Sequence, residues 1–306
     1  MPDSQYDVIV VGAGIAGLTA AKELASAGLA TACIEAQMFG GLVVNINELE
    51  PAPPGGVASG VELASNLMEQ ATELGMDSPT AMVTGIERNG DAFTLATDTD
   101  EYRARAIVIA SGAKLRRLGV PGEVEFEHRG VAQCADCDGP LYKGQDVVVV
   151  GGGDSALQEA LVLAHYCRRV HLVHRGERFR ARPDLVAAVR ERDNIAPRFR
   201  TVVEAILGND MVGKVRVRDL AEGSTSEIPC TGFFAYVGMA PNTAFVPSEV
   251  NRDAQDRLVT DEALQTTMPG VFAAGAVRAG CGGLITDAIA DAQRAASSVR
   301  AWLATA

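Results

Sequence analysis

The sequence is short of basic residues and of long apolar runs, and each shortage excludes a class of protein. Lys and Arg total 27 against 39 Asp and Glu, which gives a formal net charge of −12. Binding along a phosphate backbone needs a basic surface, so we expect no nucleic acid partner. The longest apolar run, residues 8–21, stops at Lys22 and is too short to cross a bilayer, so we expect no membrane partner.

The N-terminus and the length favour a cytoplasmic protein with two domains. The segment MPDSQYDVIV lacks the basic start and the cleavage site of a secretory signal, which predicts a cytoplasmic location. A chain of 306 residues is long enough for two domains, each burying a core of its own.

Cysteine is also sparse, because six in a chain of this length cannot form a disulfide scaffold. Only Cys134 and Cys137 lie close in sequence, and no second C-x-x-C or H-x-x-x-H motif could complete a zinc site with them. We therefore expect no metal. The other four are expected to be small buried residues: Cys33, Cys167, Cys230 and Cys281.

The sequence contains an internal repeat with an offset of 139 residues. Residues 8–18 and 147–157 each have four β-branched residues, then G-x-G-x-x-G/A, then a helical stretch. Such a run without alternation predicts a strand buried on both faces, and the glycines suit a turn that binds a pyrophosphate. The repeat predicts an α/β fold with two Rossmann-like dinucleotide-binding domains. The site residues predicted from the two turns are Gly12, Gly14, Ile15, Ala16 and Gly17, and Gly151, Gly153, Asp154, Ser155 and Ala156.

The residue that ends the second strand of each copy predicts which nucleotide binds there. Residues 30–34 end in Glu35 and then Ala36, and an acidic residue here accepts hydrogen bonds from a ribose and repels a 2′-phosphate. The equivalent position is His174, followed by Arg175 and, further on, Arg180. The first copy therefore predicts FAD or NAD and the second NADPH. The alternative for these basic residues is a solvated turn.

Further signals predict the elements between and after the copies. Ser59 and Glu62 form a capping box before a helix to about Leu74, and Asn89-Gly90 predicts a hairpin. We expect strands near 106–110, 197–205, 213–219 and 232–237, a helix starting at Pro183, and a long C-terminal helix within 283–304. Gly and Pro breaks near 119–122 and 238–241 predict the domain crossings, so that the second nucleotide domain is inserted into the first.

Cys134 and Cys137 predict a redox function. Two thiols separated by two residues can close a small disulfide that accepts and returns two electrons. Asp138 follows directly and is a candidate acid and base if burial raises its pKa. The alternative for Asp138 is the start of the Asp-Gly-Pro turn at 138–140.

The block CADCDG followed by DVVVVGGGDSA resembles the low-molecular-weight thioredoxin reductases, and the likeness covers nearly the whole chain. It extends to GAGIAG near the start, GMAPNT at 238–243 and PGVFAAG at 269–275. The resemblance implies a homodimer with an FAD domain (1–117 and 242–306) and an inserted NADPH domain (118–241) carrying the redox pair. It also implies that Cys137 lies nearer the flavin while Cys134 attacks the incoming disulfide. Further FAD-site residues implied by it are Gly41, Ala110, Gly112, Gly275 and Ala276.

The chain departs from the family's pattern around both cofactors. One arginine of the basic turn is Gly176, which weakens the preference for NADPH and leaves NADH possible. The family's Gly-Asp is Gly275-Ala276, and its Arg-Gln-Ala is replaced by residues 283–285. Its G-G-Q-L stretch reads G-G-L-V here, at residues 40–43. We therefore expect a divergent member whose flavin pocket has changed more than its redox centre.

Together these features predict a flavoprotein disulfide reductase that acts on thioredoxin or a related small protein. One alternative is a dithiol oxidase that passes electrons from a small dithiol to oxygen. The other is a non-catalytic redox sensor whose flavin site has decayed at Ala276. The nicotinamide site argues against the oxidase, which needs none.

Overall fold

The structure is a computed structural model that describes residues 5–49 and 56–305. The chain forms two compact units. The discontinuous unit comprises Met1–Lys114 and Ala240–Ala306, and the inserted unit is Leu115–Met239. The first four residues of the segment MPDSQYDVIV lie outside the described residues.

Strands and helices alternate along much of the described chain. The first part contains β1 (Gln5–Val11), α1 (Ile15–Ser26), β2 (Thr31–Ile34), α2 (Gly60–Glu73), β3 (Val83–Asn89), β4 (Ala92–Thr97), β5 (Glu101–Ile109) and β6 (Ala113–Leu115). Next come β7 (Val131–Ala132), α3 (Ala135–Asp138), β8 (Asp146–Gly151), α4 (Asp154–Ala164), β9 (Arg169–Val173), α5 (Pro183–Arg190), β10 (Ile195–Arg198), β11 (Thr201–Gly208), β12 (Val212–Asp219), β13 (Thr225–Pro229) and β14 (Gly232–Tyr236). The last are β15 (Met239–Pro241), β16 (Val271–Ala273) and α6 (Ile285–Leu303).

Each unit is built on a sheet whose central strands are parallel. In the discontinuous unit the order is β2-β1-β5-β4-β3, with β16 also paired to β5. Strands β2, β1, β5 and β16 run parallel, and β3 and β4 are antiparallel additions. The inserted unit has a five-stranded parallel sheet, β10-β9-β8-β14-β7, and a separate antiparallel sheet, β11-β12-β13. The predicted α/β fold with two Rossmann-like domains is confirmed.

The apolar runs of the repeat are buried on both faces of their sheets. In β1, Val8 and Val10 pack into the core beneath α1, α2 and α6, while Ile9 and Val11 pack into the core on the opposite face. Strand β8 divides its four valines between two cores in the same way. Burying each such side chain contributes roughly 1.5–3 kcal/mol, so these strands anchor the turns that follow them.

The helices signalled by capping and periodicity form as predicted. The Ser59 side chain accepts a hydrogen bond from the Glu62 N–H at the start of α2. Helix α5 begins at Pro183, and α6 packs Ala292, Ala295 and Val299 fully into the core. Within the described residues, no helix is long and apolar enough to cross a membrane.

The strand expected near 197–205 is wrong as a single element. The chain turns at Phe199–Arg200, where Arg200 has a φ of 49°, and the two halves join different sheets as β10 and β11. Strand β13 was not predicted. Its residues are largely exposed, and only Ile228 is buried, so the strand carries almost no apolar pattern.

Candidate active site

Cys134 and Cys137 form a disulfide at the start of α3, as predicted. Their Cα atoms lie 5.3 Å apart, within the range that a disulfide spans. The Cys137 N–H donates to Cys134 Sγ, with a nitrogen–sulfur distance of 3.1 Å. Cys134 is 9% exposed, whereas Cys137 is exposed. Cys137 is therefore the more accessible of the two residues.

Asp138 ends the cysteine helix and is half-buried. Its N–H donates to the Cys134 carbonyl at 3.0 Å, which fixes its backbone beside the pair. Burial raises the pKa of Asp138, and the charge of His128 opposes that rise. A carboxyl group with a raised pKa keeps its proton to higher pH than an ordinary carboxyl, which suits a general acid.

A carboxylate that sequence reasoning missed lies against the same helix. Glu159, on α4, accepts a hydrogen bond from the Ala135 N–H at 3.0 Å through Oε2. The Tyr236 hydroxyl, at the end of β14, donates to the same oxygen at 3.1 Å and lies 3.1 Å from the Gln133 carbonyl oxygen. Glu159 stands 25 residues from Cys134 in sequence, so no local motif could have indicated the contact.

The first glycine-rich turn joins β1 to α1 and leaves its middle open. The Gly12 N–H donates to the Ile34 carbonyl at 2.8 Å, which ties the turn to β2. A Cβ on Gly17 would lie 1.8 Å from the Gly12 oxygen, so the helix approaches the strand as closely as glycine permits. A Cβ on Gly14 would meet nothing nearer than the Gly40 oxygen, at 4.0 Å. The backbone at Gly14 is therefore accessible to a pyrophosphate at the helix N-terminus.

Glu35 is fixed at the end of β2 by the backbone of this turn. Its Oε2 accepts from the Ala13 N–H at 2.8 Å, and its Oε1 accepts from the Gln37 N–H at 3.1 Å. A carboxylate has about four lone-pair positions, so capacity remains for ribose hydroxyls. The Gly40 N–H donates to the Ala13 carbonyl at 2.7 Å, which places Gly41 beside Gly14. Ala36 is exposed next to this carboxylate.

Two further segments meet the same turn. The Ala110 N–H donates to the Val11 carbonyl at 2.8 Å, at the end of β5. A Cβ on Gly275 would lie 2.8 Å from the Ala16 Cβ, so the loop after β16 packs on α1. The structure thus brings together the first turn, Glu35, Gly41, Ala110 and the loop at 275–276.

The loop at 275–278 is held by a buried ion pair that the sequence did not reveal. Arg278 donates through Nε and Nη2 to the two oxygens of Asp291, at 2.7 and 2.6 Å. The Gly275 N–H donates to Asp291 Oδ2 at 3.1 Å. Asp291 lies on α6, where the alanines around it indicated only a packed helix. A bidentate pair of this kind fixes the loop although position 276 is alanine.

The second glycine-rich turn joins β8 to α4 and is also open at its middle glycine. A Cβ on Gly153 would meet no atom within 4 Å. Asp154 and Ser155 are exposed at the start of α4, and Ala156 is buried. The Asp154 carboxylate accepts from the Arg182 N–H at 2.8 Å, which connects the turn to the basic segment 175–182.

His174 is enclosed, whereas the arginines after it are exposed. The His174 ring lies against Gly152, where a Cβ would come within 2.2 Å of it, and its Nε2 contacts the Arg178 carbonyl oxygen at 3.0 Å. Burial lowers the pKa of His174 and so favours the neutral ring. Arg175 and Arg180 are exposed and supply positive charge at the end of β9.

A further arginine lies opposite the glycine that replaces one of the family's basic residues. The Arg200 N–H donates to the Gly176 carbonyl at 3.0 Å. Its guanidinium pairs with Glu177, at 2.9 Å between Nη2 and Oε1. Arg200 comes from the break between β10 and β11, so its position could not be predicted while that break was missed.

The other four cysteines are free thiols whose pKa values are raised, so they are poor nucleophiles. Cys33, Cys167 and Cys230 are buried, and burial raises their pKa values to about 12, 11 and 12. Cys281 is partly exposed, and burial also raises its pKa. Across residues 5–49 and 56–305, no group of acidic, histidine and cysteine side chains could hold a metal ion.

Comparisons with known proteins match almost the entire chain to one protein family. The family described as pyridine nucleotide-disulphide oxidoreductase matches residues 6–298. The chain is 38% identical to the thioredoxin reductase of Treponema pallidum over 306 residues, covering 99% of each. It is also 38% identical over 275 residues to the bifunctional thioredoxin reductase/thioredoxin of Mycobacterium leprae, covering 88% of this chain and 60% of that one. The structure of Lactococcus lactis thioredoxin reductase in its FR conformation superposes with a TM-score of 0.93 at 34% identity, covering 98% of this chain and 100% of that one.

Proposed function

The chain belongs to the pyridine nucleotide-disulphide oxidoreductase family, and on that premise we propose that it passes electrons from NADPH through FAD and Cys134–Cys137 to a thioredoxin-like disulfide. Its class, a flavoprotein disulfide reductase, follows from its family and its thioredoxin reductase relatives. The observation that carries the proposal is the disulfide at the start of α3, in the same unit as the second glycine-rich turn.

The discontinuous unit is assigned to FAD, because its turn has an open backbone at Gly14 and an anchored carboxylate at Glu35. FAD, when bound, supplies a carrier that accepts hydride from a nicotinamide and gives two electrons to a disulfide. The α1 N-terminus would hold its pyrophosphate and Glu35 its ribose. The loop at Gly275–Ala276 would lie along the flavin side of this site. Its shape is maintained by Asp291 rather than by a side chain at position 276.

The inserted unit is assigned to NADPH. Gly153 leaves the α4 N-terminus open for the pyrophosphate, and exposed arginines follow β9. Arg175 and Arg180 would bind the 2′-phosphate, since guanidinium groups form strong charge-assisted hydrogen bonds with phosphate. Gly176 removes one such contact, so NADH is expected as a weaker alternative donor.

The two cysteines are assigned different tasks. Cys137 would take electrons from the flavin side, and Cys134 would attack the incoming disulfide. Asp138 would supply and remove the proton at the sulfur facing the flavin, which its raised pKa suits. Thioredoxin is the favoured acceptor, because the similar proteins are named thioredoxin reductases. One of them is a bifunctional thioredoxin reductase/thioredoxin. The protein would act as a homodimer in the cytoplasm.

Two alternatives make different predictions. A dithiol oxidase would need no nicotinamide site, yet the second turn and its basic segment are intact. A sensor without bound flavin is disfavoured because the Arg278–Asp291 pair keeps the loop at 275–278 ordered.

The test is the anaerobic absorbance of the purified protein at the flavin band. The reductase should arrive yellow, bleach with NADPH and recover its colour when oxidised thioredoxin is added. A yellow protein that NADPH leaves unchanged but a small dithiol bleaches would identify the oxidase. A colourless protein that FAD cannot reconstitute would identify the sensor.

A further inference from the structure

The contact between Glu159 and the cysteine helix is not required by any role assigned above. The Glu159 carboxylate lies on α4, and its Oε2 accepts the N–H of Ala135, the residue directly after Cys134. An N–H at the start of a CxxC helix is a group that can stabilise a thiolate at the first cysteine. Here that N–H already donates to the Glu159 carboxylate.

The carboxylate is itself held in place. The Tyr236 hydroxyl donates to Glu159 Oε2 at 3.1 Å and lies 3.1 Å from the carbonyl oxygen of Gln133, just before Cys134. Both residues are partly or fully buried. Burial raises the pKa of Glu159, and the hydrogen bonds from Ala135 and Tyr236 offset part of that rise.

Glu159 and Tyr236 contact Ala135 and Gln133, the two residues that flank Cys134, so their contacts lie on the Cys134 side of the pair. The Cys137 N–H donates to Cys134 Sγ and alone would favour a thiolate there, whereas the Glu159 charge beside Ala135 opposes it. The other titratable groups that face Glu159, Asp138 or the pair are Asp136, His128, Tyr142 and Tyr236.

We propose that Glu159, fixed by Tyr236, is a positioning residue that disfavours the thiolate at Cys134, so that the negative charge of the reduced pair resides on Cys137. Reduction of the disulfide adds two electrons and one proton to the two sulfurs, and the S–S bond breaks. The proton resides on Cys134 and the charge on Cys137 until an acceptor arrives, and Cys134 passes that proton to the Cys137 thiolate before it attacks the incoming disulfide. This inference rests on the proposed function for its biological meaning, but its chemistry can be measured without turnover.

The test is the pH dependence of thiol alkylation in the full-length protein. The disulfide is reduced anaerobically with dithiothreitol, and iodoacetamide is applied in short pulses across a series of pH values. Mass spectrometry then gives separate rates for the peptides of Cys134 and Cys137. Because dithiothreitol supplies the electrons, a failure of NADPH-driven turnover would leave this measurement intact.

Glu159→Gln is the decisive variant, because the amide oxygen can still accept from Ala135 while the charge is lost. The Cys134 alkylation profile should move to lower pH by about one unit, a roughly tenfold faster reaction on the acidic limb. Tyr236→Phe should move it in the same direction by less. Asp136→Asn removes a charge from the same helix without touching the Ala135 contact, and should have the smallest effect on Cys134.

Two results would overturn the proposal. One is a Cys134 profile in Glu159→Gln that coincides with wild type. The other is an equal shift in Asp136→Asn, which would make Glu159 one charge among several. If Glu159→Gln does not fold, judged by its thermal melt, Tyr236→Phe decides on the same readout, and an unchanged Cys134 profile there counts against the proposal.

Discussion

The two glycine-rich turns share a strand–turn–helix backbone, yet their close contacts fall at different positions. The first turn has alanine at position 13 and glycine at 17, where the helix touches the Gly12 oxygen. The second has the reverse, glycine at 152 beneath the His174 ring and alanine at 156. The residue after the neighbouring strand explains the first of these differences, because the His174 ring fills the space that a Cβ at position 152 would need, whereas Glu35 contacts only the N–H of residue 13.

If the two turns bind FAD and NADPH as proposed, one backbone motif serves two nucleotides. The glycines fix the approach of helix to strand, and the residue after the neighbouring strand would set the charge that a bound ribose meets. Glu35 presents a carboxylate at the first site, while enclosed His174 leaves Arg175 and Arg180 to present positive charge at the second.

The largest effect is expected from exchanging the third position of the motif. In Gly17→Ala the new Cβ would fall 1.8 Å from the backbone oxygen of Gly12, which cannot move without breaking the turn. We expect a loss of stability of about 3 kcal/mol and failure to retain FAD, read from a thermal melt and the flavin absorbance. The matched variant Ala156→Gly should retain FAD and lose only about 1 kcal/mol. Equal behaviour of the two variants would refute the difference between the turns.

A smaller and more selective effect is expected at the second turn. Arg175→Ala should remove one charge-assisted contact, worth about 1.5–3 kcal/mol, and so lower kcat/KM for NADPH by roughly ten- to a hundredfold. NADH should be nearly unaffected, because it has no 2′-phosphate. Arg178→Ala, which removes the same charge from the same turn, is the control. A loss that is equal for both nucleotides would make Arg175 a structural residue.

The smallest effect is expected at the flavin loop. Ala276→Asp should tighten FAD by at most about tenfold, the value of one added hydrogen bond. The dissociation rate of FAD, followed by its fluorescence on release, measures this. Faster loss of FAD than in wild type would mean that the carboxylate is buried without a partner beside Asp291, and that the loop holds FAD in another way.

Much of this fold was predictable because its strongest signals are local and repeated. Four consecutive β-branched residues at 8–11 and at 147–150 predict strands buried on both faces, and the structure places strands of that kind there. The break at Arg200 was missed because residues 199–200 are Phe-Arg, with no glycine, proline or asparagine to indicate a turn. Strand β13 was missed because Ile228 alone faces a core.

The parts of the candidate site that were missed depend on contacts across the chain. Glu159 meets Ala135 across 24 residues, and Tyr236 reaches Gln133 across 103. Asp291 reaches Gly275 from a helix whose small residues predict packing alone. In each case the partner is a backbone group. Because every residue has such groups, the sequence alone does not indicate which one a side chain will contact.

The central claim, that reducing equivalents from NADPH reach the Cys134–Cys137 disulfide, is tested most directly by locating new thiols. The protein, purified with FAD bound, is incubated anaerobically with NADPH, alkylated under denaturing conditions and mapped by mass spectrometry. Before NADPH, alkylation should label only the four free cysteines, Cys33, Cys167, Cys230 and Cys281. After NADPH, label should appear at Cys134 and Cys137 in equal amounts. Bleaching of the flavin with no new label at either cysteine would contradict the account.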